Sequence, residues 1–253
     1  MKPTKILLID TETISIEKRY IYDFGYIIAE LENEQYIPLV KSQNIIEQIY
    51  DNLALFTTAY YENKRNTYTK LMQGRTAKKN KYGYVMQTLK HLIKEHDIQY
   101  VIAYNSSFDK GAIEFTTNFF KTQDIFKGLI WLDLLAISNN LIHLHESYID
   151  KAKEKNWFNV SGYLQTNAEN TYAFLTENYD FKEEHTSLQD CEIELHILNE
   201  CVKRGFDIET NYKSKYILSG AKQYFRIEHN GKNYSFGYNK KINRKNGIIS
   251  LTS

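Results

Sequence analysis

The chain of 253 residues is long enough to bury one sizeable core and to carry a small appendage. Its hydrophobic content of 42% and charged content of 25% are ordinary for a globular protein, and its apolar runs are too short for a signal peptide or a transmembrane helix, so we expect a cytoplasmic protein without membrane contact. The net charge of +1 hides an asymmetry, because residues 211–253 carry nine Lys or Arg against one acid, Glu228, and the rest of the chain is acidic.

The first predicted element is a buried strand over residues 5–10, KILLID, since a continuous apolar run is typical of a central strand. Asp10 and Glu12 stand at its end, and side chains two residues apart in an extended chain point to the same side. Two carboxylates facing one point repel each other, and a divalent cation such as Mg²⁺ relieves that repulsion. A turn at the strand end is the alternative, but it explains one acid better than two.

Two further strands are predicted over residues 20–31 and 35–42, so the first three strands form a meander. Residues 44–96 are predicted to be mostly helical. A basic run between residues 64 and 81 has tyrosines interleaved with it, namely Tyr60, Tyr61, Tyr68 and Tyr82. Charge and aromatic rings suit a nucleic-acid strand, which offers phosphates and stackable bases, but a solvated helical face explains the same run.

A fourth buried strand is predicted over residues 99–104, followed by a polar turn and a helix over residues 107–120. Asp109 thereby lies at a strand-to-helix junction, the place where α/β sheets put ligand sites. An acid in the first turn of a helix is also favoured by the helix dipole, so Asp109 by itself does not decide between the two interpretations. Asp133 is interpreted as structural, capping a helix that follows a short strand.

Residues 185–202 are predicted to form the helix around which the chain is organised, because apolar residues recur there at helical spacing: Leu188, Cys191, Leu195, Leu198 and Val202. Thr186 with Gln189 matches a capping box, which starts the helix at Thr186. His185 then lies on the entering loop and Asp190 in the first turns, so both side chains can reach one pocket. A capped surface helix with an incidental His and Asp is the alternative.

The two cysteines, Cys191 and Cys201, fall in this predicted helix about 15 Å apart along its axis and cannot form a disulfide. Cys191 belongs to the apolar stripe and is expected in the core. The two cysteines therefore do not indicate an oxidising compartment.

The composition shifts after Val202. Residues 222–238 alternate apolar and polar side chains around Asn230-Gly231, which is a strong hairpin signal, and residues 248–249 could add a third strand. We therefore expect two units, a main domain over residues 1–205 and a small basic β-rich appendage over residues 206–253.

Three segments stand in order along the chain: LIDTET, AYNSSFD and HTSLQD. The first holds Asp-x-Glu after a strand, the second ends in Asn-x-x-Phe-Asp, and the third separates a His from an Asp by four residues. The ordered set resembles the DEDDh exonucleases, the DnaQ-like family that includes polymerase proofreading subunits and RNase T, over roughly residues 5–204. The segment TNAENTYAFLTENYDFKEEHTSLQD further resembles the stand-alone exonucleases of phages and mobile elements.

The resemblance implies an α/β fold of the RNase H-like kind, with a mixed five-stranded sheet flanked by helices, and hydrolysis of phosphodiester bonds from a 3′ end. Two Mg²⁺ or Mn²⁺ ions would be held by four carboxylates, those of Asp10, Glu12, Asp109 and Asp190. His185 would act as the general base. Thr11 and Thr13 would contact the terminal nucleotide, and Asn105 would contact the substrate or orient the loop that carries Asp109.

The expected substrate is single-stranded nucleic acid or a 3′ end, with DNA favoured over RNA, in replication, repair or nucleic-acid processing. The resemblance is also compatible with a polymerase or another replication protein as a partner, and with a homodimer. One alternative keeps the chemistry and takes short RNA, because discrimination by the 2′-OH depends on pocket geometry. The other is a catalytically idle binding module that uses the basic C-terminal segment, although such a module has no need of all five site residues.

Overall fold

The centre of the molecule is a six-stranded sheet in the order β4-β3-β2-β1-β5-β6. The computed structural model describes residues 4–60, 62–159, 164–208, 222–229 and 232–238. The strands of the sheet are β1 (Lys5–Thr13), β2 (Ile21–Glu32), β3 (Gln35–Ile46), β4 (Ala77–Asn80), β5 (Tyr100–Ala103) and β6 (Ile130–Asp133). Strand β2 pairs antiparallel with both β1 and β3, and every other pairing in the sheet is parallel.

The mixed sheet confirms the predicted fold class. A meander of three strands is extended on the β1 side by two parallel strands, each reached through a helical connection, which is the RNase H-like arrangement. The meander turns tightly at Asn33 and Glu34, both of which have positive φ, as the favoured two-residue hairpin turns require. The sheet has one more strand than the predicted five. Strand β4 is short and charged, AKKN, so it lacks the apolar alternation by which sequence reveals a strand.

Helices cover both faces of the sheet. They are α1 (Glu47–Tyr50), α2 (Leu53–Phe56), α3 (Arg65–Gln73), α4 (Tyr82–Glu95), α5 (Ser107–Phe120), α6 (Leu134–Ser138), α7 (Glu146–Lys155), α8 (Ala168–Leu175) and α9 (Ser187–Lys203). Residues of α1 to α5 bury one apolar cluster with Leu7 and Ile9 of β1, and residues of α6, α7 and α9 bury a second with Ile6 and Leu8. Alternate residues of β1 thus face opposite layers, which decides where its acids point.

Helix α9 packs closely across β1, β2 and β3, and its start lies directly on β2. A Cβ atom at Gly25 would lie 2.3 Å from the carbonyl carbon of Ser187, so only glycine allows the helix to approach this closely. The helix begins after Thr186 as predicted, but the capping box is wrong. The Thr186 side chain caps no backbone group, and Gln189 accepts the backbone N–H of Glu184 instead, because the loop before the helix folds back over its first turn.

The helical segment between β3 and β5 buries two of the tyrosines predicted to stack on bases. Tyr68 and Tyr82 are fully buried in the first apolar cluster, whereas Tyr60 is exposed. The rings of Tyr22, Tyr50 and Phe56 pack edge-to-face there. Two of the predicted stacking positions are therefore core residues, and another, Tyr61, lies outside the described residues.

The predicted C-terminal hairpin is present as a separate two-stranded antiparallel sheet of β7 (Lys222–His229) and β8 (Lys232–Tyr238). The predicted third strand at residues 248–249 lies outside the described residues, so the boundary between residues 205 and 206 stays a prediction. Cys191 and Cys201 are free and buried, as expected. Within the described ranges, no helix is both long and apolar enough to cross a bilayer.

Candidate active site

A cleft of about 230 Å³ opens at the carboxyl ends of β1 and β5, beside the start of α9. Its walls are built by Asp10, Thr11, Glu12, Tyr104, Asn105, Phe108, Asp109, Ala168, Glu183, His185, Asp190 and Glu194. All five residues predicted to carry the chemistry, together with Thr11 and Asn105, thus line one cleft. Thr13 is not among the described residues that line it, and its hydroxyl donates to the Ser15 carbonyl oxygen at 3.3 Å.

Strand β1 presents two acids to one layer and a hydroxyl to the other. Asp10 and Glu12 continue the face of Ile6 and Leu8, towards α9, while Thr11 faces α5. The Thr11 hydroxyl donates to Asp109 Oδ1 at 2.8 Å. Thr11 therefore holds the carboxylate of Asp109 in place, a contact that the prediction of a nucleotide-binding role did not include.

Asp109 lies in the first turn of α5, after a sharp turn of the chain at the end of β5. Asn105 makes that turn with a φ of 60°, a left-handed conformation that Asn tolerates better than most residues. Its backbone N–H donates to Asp133 Oδ1 at 3.0 Å, and the same oxygen accepts from Leu135 N–H at the start of α6. Asp133 is the structural cap that the sequence predicted, and it also holds the turn that delivers Asp109 to the cleft.

His185 and Asp190 reach the cleft from the loop and first turn of α9. His185 has a φ of 51°, an uncommon conformation for a residue other than glycine. This turn brings ligand atoms of Glu12, His185 and Asp190 within 4.8 Å of one another. The predicted placement of His185 just outside the helix and Asp190 inside it is confirmed.

The start of α9 is fastened to β2 by a buried acid, Asp23. Its carboxylate accepts the backbone N–H of Ser187 at 3.1 Å, the Ser187 hydroxyl at 2.6 Å and the Gln43 side-chain amide at 2.8 Å. Asp23 is also the residue of β2 that pairs with Glu12 of β1. We refer to Asp23, Gly25, Gln43 and Ser187 as the Asp23 joint, because this group sets the position of His185 and Asp190 relative to Glu12.

The cleft holds more negative charge than its surroundings neutralise. Burial, then the charges of Asp190 and Asp109, raise the pKa of Asp10 well above its ordinary value. Burial and then the charge of Asp23 do the same for the pKa of Glu12. The pKa of Asp109 rises to about 7, chiefly through burial, which the hydrogen bond from Thr11 only partly opposes.

The acids of α9 show the same effect. Burial and the charge of Glu183 raise the pKa of Asp190 well above its usual range. Asp190 Oδ1 and Glu194 Oε2 are both buried and accept no hydrogen bond within the described structure. A buried carboxylate oxygen without a donor is costly, and a hard divalent cation, which takes carboxylate oxygens as ligands, removes that cost. The donor set and these two oxygens therefore fit a cation site.

His185 differs electrostatically from the acids around it. Burial, followed by the positive charge of Lys64, lowers its pKa, so the neutral ring is the main form at neutral pH. Its side chain is 36% exposed, and its Nδ1 lies 3.4 Å from Glu183 Oε2. A half-buried neutral imidazole at the rim of an acidic cleft can accept a proton from a water molecule.

Three charged residues at the cleft were missed by the sequence prediction of the site. Glu194 follows Asp190 by four residues on α9, so counting one helical turn could have found it. Glu183 lies on an irregular loop, where no periodicity identifies it. Lys64 was assigned only to a basic run, and its Nζ donates to the backbone carbonyls of Glu184 and His185, holding the loop that carries His185.

Comparison with known proteins gives structural likenesses only. No family model matches the chain, and no curated protein matches it. A solved structure described as exonuclease X in complex with 5′ overhanging duplex DNA is 13% identical, with a TM-score of 0.39, over 81% of this chain and 95% of that one. The nuclease domain of 3′hExo, described as a DEDDh family member bound to rAMP, is 12% identical with a TM-score of 0.49, over 80% and 94% of the two chains. At these identities and TM-scores, the likenesses assign no function.

Proposed function

We propose that the chain is a 3′–5′ exonuclease of the DEDDh type, hydrolysing phosphodiester bonds at the 3′ end of DNA or RNA. The observation that carries this proposal is the convergence of four acids, two buried and two half-buried, and one half-buried His on a single cleft, in the order that the three sequence motifs predict. The unpartnered Asp190 Oδ1 adds support, since such an oxygen is in place for a cation.

Asp10, Glu12, Asp109 and Asp190 would hold the divalent ions, Mg²⁺ or Mn²⁺. Two such ions, when bound, supply the charge that stabilises the attacking and leaving oxygens at phosphorus. Thr11 orients the carboxylate of Asp109 through its hydroxyl, and the Asp23 joint keeps Asp190 opposite Glu12. Thr11 and the Asp23 joint would therefore support the reaction by holding the carboxylates at fixed positions relative to one another.

His185 would accept the proton of the attacking water. Its lowered pKa favours the neutral ring that a general base must have, and its exposure at the rim gives water access. Lys64 supports the backbone of the loop on which His185 stands. Asn105, Thr11 and Thr13 remain the residues proposed to contact the terminal nucleotide, with Asn105 already at the cleft wall.

The substrate proposed is a single-stranded 3′ end, with DNA favoured over RNA, in replication, repair or nucleic-acid processing. The stand-alone phage or mobile-element type, a polymerase partner and a homodimer belong to the same proposal and rest on sequence resemblance alone. The second candidate is a binding module that uses the basic charge of residues 211–253 and has no activity. The unpartnered buried oxygens weigh against that candidate, because a binding module gains nothing from their cost.

Side-by-side digestion tests the reaction and its direction. DNA and RNA oligonucleotides labelled at either the 3′ or the 5′ end are incubated with the protein in Mg²⁺, in Mn²⁺ and in EDTA. The proposal expects immediate release of a mononucleotide from the 3′-labelled end and a ladder of shortening products from the 5′-labelled strand, both abolished by EDTA. Binding without any digestion in either metal would favour the idle module.

A truncation lacking residues 211–253 tests the role of the basic segment. If that segment grips the strand away from the cleft, its loss weakens binding to long oligonucleotides and flattens the salt dependence of binding, because fewer phosphate counterions are released. Hydrolysis of a dinucleotide should stay nearly unchanged. Equal salt slopes for the two proteins, or a truncated protein that no longer folds, would rule out the grip and favour packing of the segment on the main domain.

A further inference from the structure

Glu194 is a buried acid of the cleft that the three sequence motifs do not include. It lies one helical turn after Asp190 on α9, on the same face of that helix, and is only 2% exposed. Its side chain lines the cleft together with Asp10 and Asp109. An ionisable side chain so fully buried needs either partners or a counter-charge.

One oxygen of Glu194 has a structural partner and the other has none. Oε1 accepts the backbone N–H of Tyr104 at 3.1 Å, and Tyr104 is the first residue after β5. This bond joins α9 to the strand end that leads to Asp109. Oε2 is buried and accepts no hydrogen bond in the described parts of the chain.

The two oxygens separate a structural role from a binding role. Joining α9 to Tyr104 requires a single acceptor, and a Gln side chain supplies that acceptor without a charge. The negative charge and the second oxygen of Glu194 are therefore unused by the fold. They add to the repulsion instead, because the neighbouring charged groups are mostly acids: Asp109, Glu183, Asp133, Asp10 and Asp190.

We infer that Glu194 is a fifth carboxylate of the cation site, directing Oε2 at the ions held by Asp10, Asp109 and Asp190. This inference rests on the proposed function, since it assumes that the cleft binds divalent cations. Glu194 strengthens their binding either by direct coordination or through a water in the coordination shell of an ion. The hydrogen bond from Tyr104 holds Oε1 of a carboxylate that lines the cleft, which fixes the side chain and leaves Oε2 available to an ion.

The test is Mn²⁺ binding to the full-length protein, measured by calorimetry and by the electron paramagnetic resonance signal of free Mn²⁺. Glu194→Gln keeps the acceptor for Tyr104 and removes the charge. We expect its Kd for Mn²⁺ to rise about 10- to 100-fold, the range for losing a residue that supports a metal site. Without metal, Glu194→Gln should unfold at the same temperature as the wild type or higher, because a buried like charge is gone.

Two further variants separate the possible failures. Glu192→Gln is the matched control on the same helix, since Glu192 is exposed and pairs with Lys41 outside the cleft, and its Mn²⁺ affinity should equal that of the wild type. Asp190→Asn should lose Mn²⁺ binding. Wild-type affinity in Glu194→Gln beside a loss in Asp190→Asn would overturn the role of Glu194 alone, as would a Glu194→Gln protein that does not fold. Wild-type affinity in Asp190→Asn, or no binding by the wild type, would overturn the proposed function as well.

Discussion

The cleft and the Asp23 joint both contain buried acids, but the hydrogen bonds that these acids accept differ. Asp23 accepts three hydrogen bonds, from two groups of Ser187 and from Gln43, all within 3.1 Å. Asp190 and Glu194, a few residues further along α9, each leave an oxygen buried and unpartnered. A buried carboxylate that stabilises a fold is surrounded by donors, whereas one in place for a cation leaves the positions of its donors open.

This difference predicts different consequences for changing Asp23 and for changing an acid of the cleft. Removing the carboxylate of Asp23 should leave the donors of Ser187 and Gln43 unsatisfied and weaken the fold. Removing an acid of the cleft should relieve its repulsion with the neighbouring carboxylates and abolish the proposed hydrolysis. The four predictions below follow from this contrast, from the largest expected effect to the smallest.

Asp190→Asn should reduce 3′-end hydrolysis on the order of 10⁴-fold or more, the scale reached when one member of a cooperating catalytic set is removed. The protein should stay folded and be at least as stable as the wild type without metal, because the charges that raise the pKa of Asp190 no longer face another acid. Release of labelled nucleotide in Mg²⁺ and the thermal midpoint are the two measurements. Full activity in a folded variant would refute the assignment of Asp190 as a metal ligand.

His185→Ala should lower kcat by about 10²–10⁴-fold, the usual contribution of a positioned general base, with little change in Mn²⁺ affinity. Because the pKa of His185 is lowered, the neutral base is populated at a lower pH than for a free imidazole. With saturating metal and substrate, the wild-type rate should therefore rise with pH and level off at a lower pH than a free imidazole would give, and this rise should vanish in His185→Ala. An unchanged pH profile with lost metal affinity would identify His185 as a ligand instead.

Asp23→Ala should lower the free energy of unfolding by about 1–3 kcal/mol, the cost of leaving a buried donor unsatisfied, and Mg²⁺ should not restore the loss. Chemical denaturation with and without Mg²⁺ measures it. Asp51→Ala is the matched control, since Asp51 is an exposed acid paired with Lys79, and its loss should cost less than about 1 kcal/mol. Equal losses in the two variants would show that the joint contributes no more to stability than an exposed ion pair does.

The contribution of Asp109 to the stability of the metal-free protein should fall as the pH rises from about 4 through about 7, and comparison of the wild type with Asp109→Asn isolates it. The pKa of Asp109 is raised from 3.8 to about 7 in the folded chain, so between these values the folded protein holds a proton that the unfolded chain has released. Raising the pH removes that proton and the stability with it. Mg²⁺ should raise the thermal midpoint more at pH 8 than at pH 6. Without metal, a pH dependence of the midpoint that is the same in Asp109→Asn as in the wild type would contradict this role of Asp109.

Much of the fold could be predicted from local patterns. The buried strand before Asp10, the meander and the helix after His185 follow from runs and periodicities a few residues long. The capping role of Asp133 was also visible locally, since it precedes a short apolar helix. Strand β4 could not be predicted in this way, because its four residues show no alternation of apolar and polar side chains. They form a strand only by pairing with β3.

The sequence predicted which residues form the candidate site better than it predicted the contacts between them. The motifs identify Asp10, Asp109 and Asp190, but the hydrogen bond of Thr11 to Asp109 joins residues 98 positions apart. The tyrosine pattern was misleading because burial also depends on contacts distant in sequence. Tyr68 and Tyr82 occur in the same kind of sequence as Tyr60, and only packing in the folded chain buries them. Glu183 gave no signal, since the loop that brings it to His185 has no repeating geometry.

By itself, the sequence determined the fold class, the order of the acidic motifs and the charge asymmetry between residues 1–210 and 211–253, because these depend on residue type and short-range spacing. Only the tertiary structure decided which buried acids are satisfied and which are not. Asp23 and Glu194 are both acids within regular elements, and nothing local separates them. The two carboxylates differ because Asp23 on β2 lies within hydrogen-bond distance of donors from α9 and β3. Glu194 faces the cleft, and the end of β5 beside it supplies a single N–H donor, that of Tyr104.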